Sequence, residues 1–253
     1  MGGIHRQDSV SADIKCAAGP GRWLVLLRLR TGSVVVVSEK TRNKFRALRV
    51  FADLEPSGFT IEDLRANPLQ ALEEWILSAA EAGQVEPHAM TLCTVGADGT
   101  PSSRVLLCKD IDDERLYFAT HADSRKGQEI ARNPRVAVQF HWPKVGRQLR
   151  IVGGAEAAGR SAGERDFAER GRGSRLSAHL RKPTPPADRD EVLAEYTRLA
   201  AAYPDEVPCS PSWTLYGIRP DEIEFWEASP DRIHTRVSFR REEGGWQTEY
   251  LWP

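Results

Sequence analysis

The chain has 253 residues, with 35 lysines and arginines against 36 aspartates and glutamates, a net charge of −1. That length buries a sizeable core as one or two domains, and the charge balance excludes a protein drawn to nucleic acid or membrane surfaces by bulk positive charge. Cys16, Cys93, Cys108 and Cys209 form no C-x-x-C pair, which excludes a zinc site or redox dithiol of that kind. The apolar run 23–27 stops at Arg28, far short of the ~20 residues of a membrane span. No signal-peptide pattern follows it, and the expected location is cytoplasmic.

Residues 1–50 differ from the rest: they hold a Gly19-Pro20-Gly21 break, a β-prone run at 34–37 and a basic stretch at 40–49. They read as an N-terminal extension. Four readings stay open for it: a disordered segment, an arm, a strand added to the core, or a translation start placed too early. Residues 51–253 form the second predicted domain.

Asn67 before Pro68 is a helix start, because Asn caps free backbone N–H groups and Pro suits the first turn. Leu69, Leu72, Trp75, Ile76 and Ala79 then recur at helical spacing up to Gly83. After it the period changes to two. Strands are predicted at 89–95, 102–109 and 116–120, with Asp98-Gly99 as a hairpin turn. A helix over 124–132 interrupts, and strands resume at 136–142 and 148–157. Helical segments follow at 162–169 and 188–202, separated by a Pro-rich stretch at 182–187. Strands over 212–218, 222–226, 233–240 and 246–251 complete the chain. This order predicts an α+β fold, mainly antiparallel, closing as a barrel with peripheral helices.

Four constellations could carry chemistry. Ser124-Arg125-Lys126-Gly127 opens a helix, where exposed N–H groups and the positive dipole end attract anions; alone, it reads first as a solvated basic helix start. Arg104 and Lys109 bracket the apolar stretch Val105, Leu106, Leu107 and Cys108, as at a barrel rim, where both equally fit simple solvation. Arg170-Gly171-Arg172-Gly173-Ser174-Arg175 is either a phosphate cradle or an exposed basic loop. Arg232, His234 and Arg236 alternate and would share one face of a strand, a costly face to bury without an anion. Nucleotide-binding glycine motifs, H-E-x-x-H and G-x-S-x-G are missing, and the other histidines lack metal-ligand spacing. No metal is expected.

The ordered set resembles the pyridoxamine 5′-phosphate oxidase family. The stretches that carry the likeness are Asn67-Pro68-Leu69, residues 104–109, Ser124-Arg125-Lys126-Gly127, Asn133-Pro134-Arg135 and Phe140-His141-Trp142. Gly146-Arg147-Gln148, Ile223-Glu224-Phe225-Trp226 and residues 232–236 complete it. The likeness runs from about Asn67 to Pro253. It implies a split β-barrel that forms a homodimer with flavin mononucleotide (FMN) at the interface. It implies that Arg104, Arg125 and Lys126 hold the FMN phosphate and ribityl chain, and that Val105, Leu106, Leu107, Cys108, Lys109, Ala119 and Thr120 line the flavin. Gln148, Trp226 and Arg236 would complete the cofactor site, some from the partner chain. Lys109, Arg170 and Ser174 correspond to positions for the substrate phosphate, and Arg232 and His234 to the catalytic positions beside the substrate ring.

The implied reaction oxidises pyridoxamine or pyridoxine 5′-phosphate to pyridoxal 5′-phosphate, by hydride transfer to flavin N5 with dioxygen as acceptor. The sequence departs from the family in places. Asp166 stands where the family has a Tyr, residues 179–184 replace its Trp-Ala-Ser-x-Gln-Ser stretch, and no Tyr precedes Tyr117 to supply its N-terminal Arg-x-x-Tyr lid. Two alternatives therefore stand beside the first reading. One is a flavin oxidase of a secondary-metabolite pathway, similar to those of phenazine biosynthesis, which the Thr120-His121-Ala122 stretch resembles. The other is a non-catalytic protein that binds flavin or pyridoxal phosphate.

Overall fold

The computed structural model describes residues 14–19, 22–27, 39–48, 50, 54–182 and 184–253. They fall into two units, Met1–Ala52 and Asp53–Pro253. In the first, β1 (Ile14–Gly19) and β2 (Arg22–Leu27) pair antiparallel, and α1 spans Glu39–Arg46. The β-prone run at 34–37 lies outside the described residues.

The second unit is built on one antiparallel sheet. After a 3-10 turn at Ile61–Asp63, helix α2 (Pro68–Glu81) starts as its sequence predicts: Asn67 accepts a 3.0 Å hydrogen bond from the Leu69 amide. Its buried stripe is Leu69, Leu72, Trp75 and Ala79, and Trp75 meets Phe59, Trp142 and Phe225 edge-on. Each such aromatic pair adds about 0.5–1.5 kcal/mol to the burial of its surface.

Strand β3 (Ala89–Val95) alternates half-buried and buried positions and pairs with the edge strand β4 (Pro101–Leu107). β5 (Asp110–Ile111) turns the chain into β6 (Leu116–His121), and Lys109 N donates to Tyr117 O at 2.8 Å. Helix α3 (Arg125–Arg132) leads to β7 (Arg135–Trp142) and β8 (Arg147–Ala157). Helices α4 (Arg160–Glu169), α5 (Arg172–Ala178) and α6 (Arg189–Ala202) follow. The sheet is finished by β9 (Trp213–Glu227), β10 (Thr235–Glu242) and β11 (Gly245–Tyr250), in the order β11-β10-β9-β8-β7-β3-β4. β6 pairs with the first half of β9, and β10 with its second half. This long strand therefore joins two parts of the sheet, which curls into the half-closed antiparallel barrel expected of an α+β split barrel. Leu92, Phe118, Val138, Phe140, Leu149, Ile151, Ile223 and Phe225 belong to its core. Phe167, Leu176, Leu199 and Trp213 make a second core under α4, α5 and α6.

The structure corrects three sequence expectations. The strands predicted at 212–218 and 222–226 are one: Arg219-Pro220-Asp221 does not turn but runs past an irregularity at Val152/Gly153. A Cβ on Gly153 would lie 2.2 Å from Arg219 O, so glycine permits the close approach at the bulge. The basic segment 170–175 is no simple loop, since α5 begins at Arg172 and carries Ser174 and Arg175. The strand predicted from 233 starts at Thr235. Arg232 has φ +70° in the preceding turn, where its amide donates to Ser229 O and Asp231 Oδ1 accepts from Ile233 N. Arg232, His234 and Arg236 therefore do not share one strand face. Asp231 organises a local side-chain turn that the alternation of charges hides.

Candidate active site

The first cluster forms where β4, β6 and the start of α3 meet. Ser124 caps α3, its hydroxyl oxygen accepting from Gly127 N at 3.3 Å. A Cβ on Gly127 would lie 2.3 Å from Ala122 O, so glycine lets the helix start press against the end of β6. Lys126 Nζ donates to Thr120 Oγ1 at 3.2 Å. Its pKa is lowered by burial first, then by the charges of Arg104 and Arg181. Arg104, on β4, donates to Leu92 O, Thr94 Oγ1 and Ser102 Oγ.

Glu129 is the buried carboxylate of this cluster. It accepts from Thr94 Oγ1 at 2.5 Å, Ser102 Oγ at 2.7 Å and Arg125 Nε at 2.8 Å, and Arg104 Nη2 lies 3.5 Å away. The hydroxyl donors, with Arg125, hold its pKa down at about 2. Sequence reasoning missed Glu129. The available signal was its i,i+4 spacing from Arg125 on α3. The cluster suits a phosphate-bearing cofactor: a helix N-terminus and partly desolvated cations converge, and an anion there would offset the burial and the cationic repulsion that depress Lys126.

Neighbouring residues of β4 and β6 present a mixed surface. Val105 and Leu107 are exposed, Leu106 is half-buried against the core and Cys108 is buried, with burial raising its thiol pKa to about 11. Ala119 is half-buried and packs on the second core.

A second cluster lies across three strands in one row: Gln148 pairs with Trp226, and Trp226 with Arg236. Gln148 accepts from Gln139 at 2.9 Å, and Arg236 donates to Glu224 and to the Trp252 carbonyl. The His234 ring lies 4.8 Å from that of Trp226. Its Nδ1 accepts from the Ser229 amide at 3.0 Å, which places the neutral ring's proton on Nε2. Gln139, Gln148, Arg150, Glu224, Trp226 and Arg236 line a cavity of ≈330 Å³.

Lys109, Asp110, Arg165, Asp166, Glu169 and Arg170 line a third site, of ≈500 Å³. Lys109 Nζ lies 3.9 Å from Asp166 Oδ1, and the Trp213 indole donates to Asp166 Oδ2 at 2.8 Å. Arg170 stacks over Trp213 at 4.3 Å and donates to Ser174 O. Ser174 itself is exposed on α5. The structure thus gathers Lys109 and Arg170 around Asp166, and ties Ser174 to them through its carbonyl.

The sequence pattern described as pyridoxamine 5′-phosphate oxidase matches residues 77–227. The chain belongs to the pyridoxamine 5′-phosphate oxidase family. A second pattern, the pyridoxine 5′-phosphate oxidase C-terminal dimerisation region, matches residues 213–253 and so includes β9, β10 and β11. The chain is 40% identical over 192 residues to a pyridoxine/pyridoxamine 5′-phosphate oxidase of Alcanivorax borkumensis, covering 75% of this chain and 92% of that protein. It is 38% identical to one of Nocardioides sp., covering 78% and 93%. Among solved structures it is similar to PhzG from Burkholderia lata, in complex with tetrahydrophenazine-1-carboxylic acid. The TM-score is 0.73 at 30% identity, covering 78% of this chain and 99% of that one. In this oxidase-family chain, none of the described helices is long and apolar enough to cross a membrane.

Proposed function

We propose that this chain is a homodimeric, FMN-dependent oxidase that converts pyridoxamine or pyridoxine 5′-phosphate to pyridoxal 5′-phosphate, with dioxygen as acceptor. The observation that carries this reading is the cation cluster at the start of α3, where Arg104 and Lys126 sit beside the capped helix end. Bound FMN would supply the hydride-accepting and dioxygen-reducing chemistry. Arg104, Arg125, Lys126 and Thr120 would hold its phosphate and ribityl chain, and the backbone from Val105 to Lys109 and at Ala119 would line the ring. Gln148, Trp226 and Arg236 would close the site, with the partner contributing across the dimer.

Lys109 and Arg170 would bind the substrate phosphate, with Ser174 beside them. Arg232 and His234 would flank the substrate ring. With Nδ1 engaged by the Ser229 amide, His234 offers Nε2–H as a donor. These residues act mainly by orientation, so their loss should change alignment more than acid–base chemistry. Titration of the purified protein with FMN, followed by a peroxide assay with pyridoxamine 5′-phosphate, tests the proposal. Failure to take up FMN sinks it.

One observation favours a second reading. Asp166 compensates Lys109 at the expected phosphate pocket, an arrangement better matched to a singly charged carboxylate than to a phosphate dianion. The relative from Burkholderia lata binds a carboxylic acid. On this reading the chain oxidises an aromatic carboxylate, and peroxide release with such substrates but not with pyridoxamine 5′-phosphate decides for it.

A further inference from the structure

We infer that Glu129 is a positioning residue that fixes Arg104 for a cofactor phosphate by ordering two hydroxyl protons, an inference that rests on the FMN reading above. Glu129 Oε2 takes the hydrogen bonds of both Thr94 Oγ1 and Ser102 Oγ. A carboxylate only accepts, so both hydroxyl protons are committed to it. Thr94 and Ser102 lie 3.2 Å apart, but with their protons spent on Glu129 neither donates to the other. Their oxygens are left as acceptors facing Arg104, which uses them both: Nη1 donates to Thr94 Oγ1 at 2.6 Å and Nη2 to Ser102 Oγ at 2.7 Å. Two nitrogens of one guanidinium are thereby pinned from one side, and Leu92 O adds a third anchor. The other carboxylate oxygen holds Arg125, so one buried acid organises cations from β4 and α3 together.

The identity of the acid matters here. A Gln at 129 brings one acceptor and one donor group. Since both hydroxyls meet one oxygen, Oε2, a Gln keeps both bonds with its carbonyl there and turns its NH2 to Arg125, whereas a Leu accepts from neither and frees both hydroxyls to aim their protons at Arg104. Positioning and simple Coulomb attraction then make opposite forecasts. As a bare negative charge 3.5 Å from Arg104, Glu129 would weaken phosphate binding, and its neutralisation would strengthen it. As a proton-ordering anchor, its replacement by Leu loosens Arg104 and weakens phosphate binding.

The experiment compares the affinities of the full-length protein for FMN and for riboflavin, which lacks the phosphate, by quenching of flavin fluorescence. Wild type should prefer FMN. Glu129→Leu should lose about tenfold of that preference, the loss of one charge-assisted hydrogen bond, while riboflavin affinity stays within about twofold. An unchanged preference, or tighter FMN binding, overturns the inference. Because Glu129 is buried, Ser102→Ala and Thr94→Val serve as parallel variants, each removing one relay hydroxyl while leaving the charge. Both should reduce the preference, and a retained preference in both overturns the inference even if Glu129→Leu does not fold. Should wild type bind FMN no better than riboflavin, the assignment of Arg104 and Lys126 to a phosphate falls, and this inference with it.

Discussion

The Trp213 indole donates a 2.8 Å hydrogen bond to Asp166 and thereby holds that carboxylate 3.9 Å from the Lys109 ammonium. Trp213 also carries Arg170 over its ring. One aromatic residue thus places an acid and a base of the third cavity. Asp166 is not turned away from the pocket, as a repulsive bystander would be; it is built into it.

Asp166→Asn should keep the indole hydrogen bond and remove the charge. Pyridoxal 5′-phosphate should then bind about tenfold more tightly, from relief of roughly 1–2 kcal/mol of repulsion in a partly screened site. Equilibrium titration of the variant checks this. Unchanged or weaker binding would mean that the ligand's anionic group lies elsewhere.

Arg232→Ala is expected to lower turnover at least tenfold while FMN stays bound. The substitution keeps a non-glycine residue at φ +70°, so backbone strain is not relieved and the melting temperature should change little. Flavin content after gel filtration and steady-state rates separate the outcomes. Parallel loss of FMN would move Arg232 to the cofactor site.

Glu227 is 2% exposed and accepts hydrogen bonds from Ser57 Oγ, the Gly58 amide and Arg147 Nε. Arg147 in turn lies 4.4 Å over the Trp75 ring. Removing the acid leaves a largely buried guanidinium unpaired. Glu227→Ala should therefore cost about 3 kcal/mol in denaturant unfolding, and a cost below about 1 kcal/mol would show that the segment 54–59 is anchored otherwise.

His121 has its pKa lowered to about 4, by burial first and then by the charge of Arg181. The unfolded residue takes its proton near 6.5. Between these values the unfolded chain binds more protons, so this contribution is fully present above pH 6.5 and is lost as pH falls through 4. Stability should decline over that window, and His121→Gln should flatten the decline. Glu129 has the same sign at lower pH, its contribution disappearing as pH falls toward about 2. Unfolding curves at stepped pH test both; an unaltered slope in His121→Gln would assign the decline to other groups.

Much of the fold was legible in the sequence because its signals are local. Asn67-Pro68 and Ser124 mark helix starts chemically, and the change of period after Gly83 marks the sheet. The misreadings have non-local causes. Pro220 reads as a turn, yet β8 pairs across it because Gly153 lets the backbones approach. Arg232 and His234 read as a strand face, yet Asp231 captures the Ile233 amide and a turn wins. The Arg170–Arg175 segment hides a helix whose Leu176 meets the second core.

The candidate site divides in the same way. Arg104, Lys126, Gln148, Trp226 and Arg236 were marked by residue type and order. Glu129, Thr94 and Ser102 were not: the Arg125–Glu129 spacing marks only a helix-surface pair, and the two hydroxyls that satisfy the acid lie on neighbouring strands far from it in sequence. Likewise, the partnering of Asp166 by Trp213, 47 positions away, exists only in the folded chain.

The most direct test of the central proposal is an anaerobic mixing experiment. Flavin-loaded protein is mixed with pyridoxamine 5′-phosphate without oxygen, and the visible flavin band is followed before and after air is admitted. The expected result is bleaching of the band with formation of pyridoxal 5′-phosphate, then recovery in air with release of peroxide. A band that persists at saturating substrate, in protein that holds FMN, would contradict the proposed reaction.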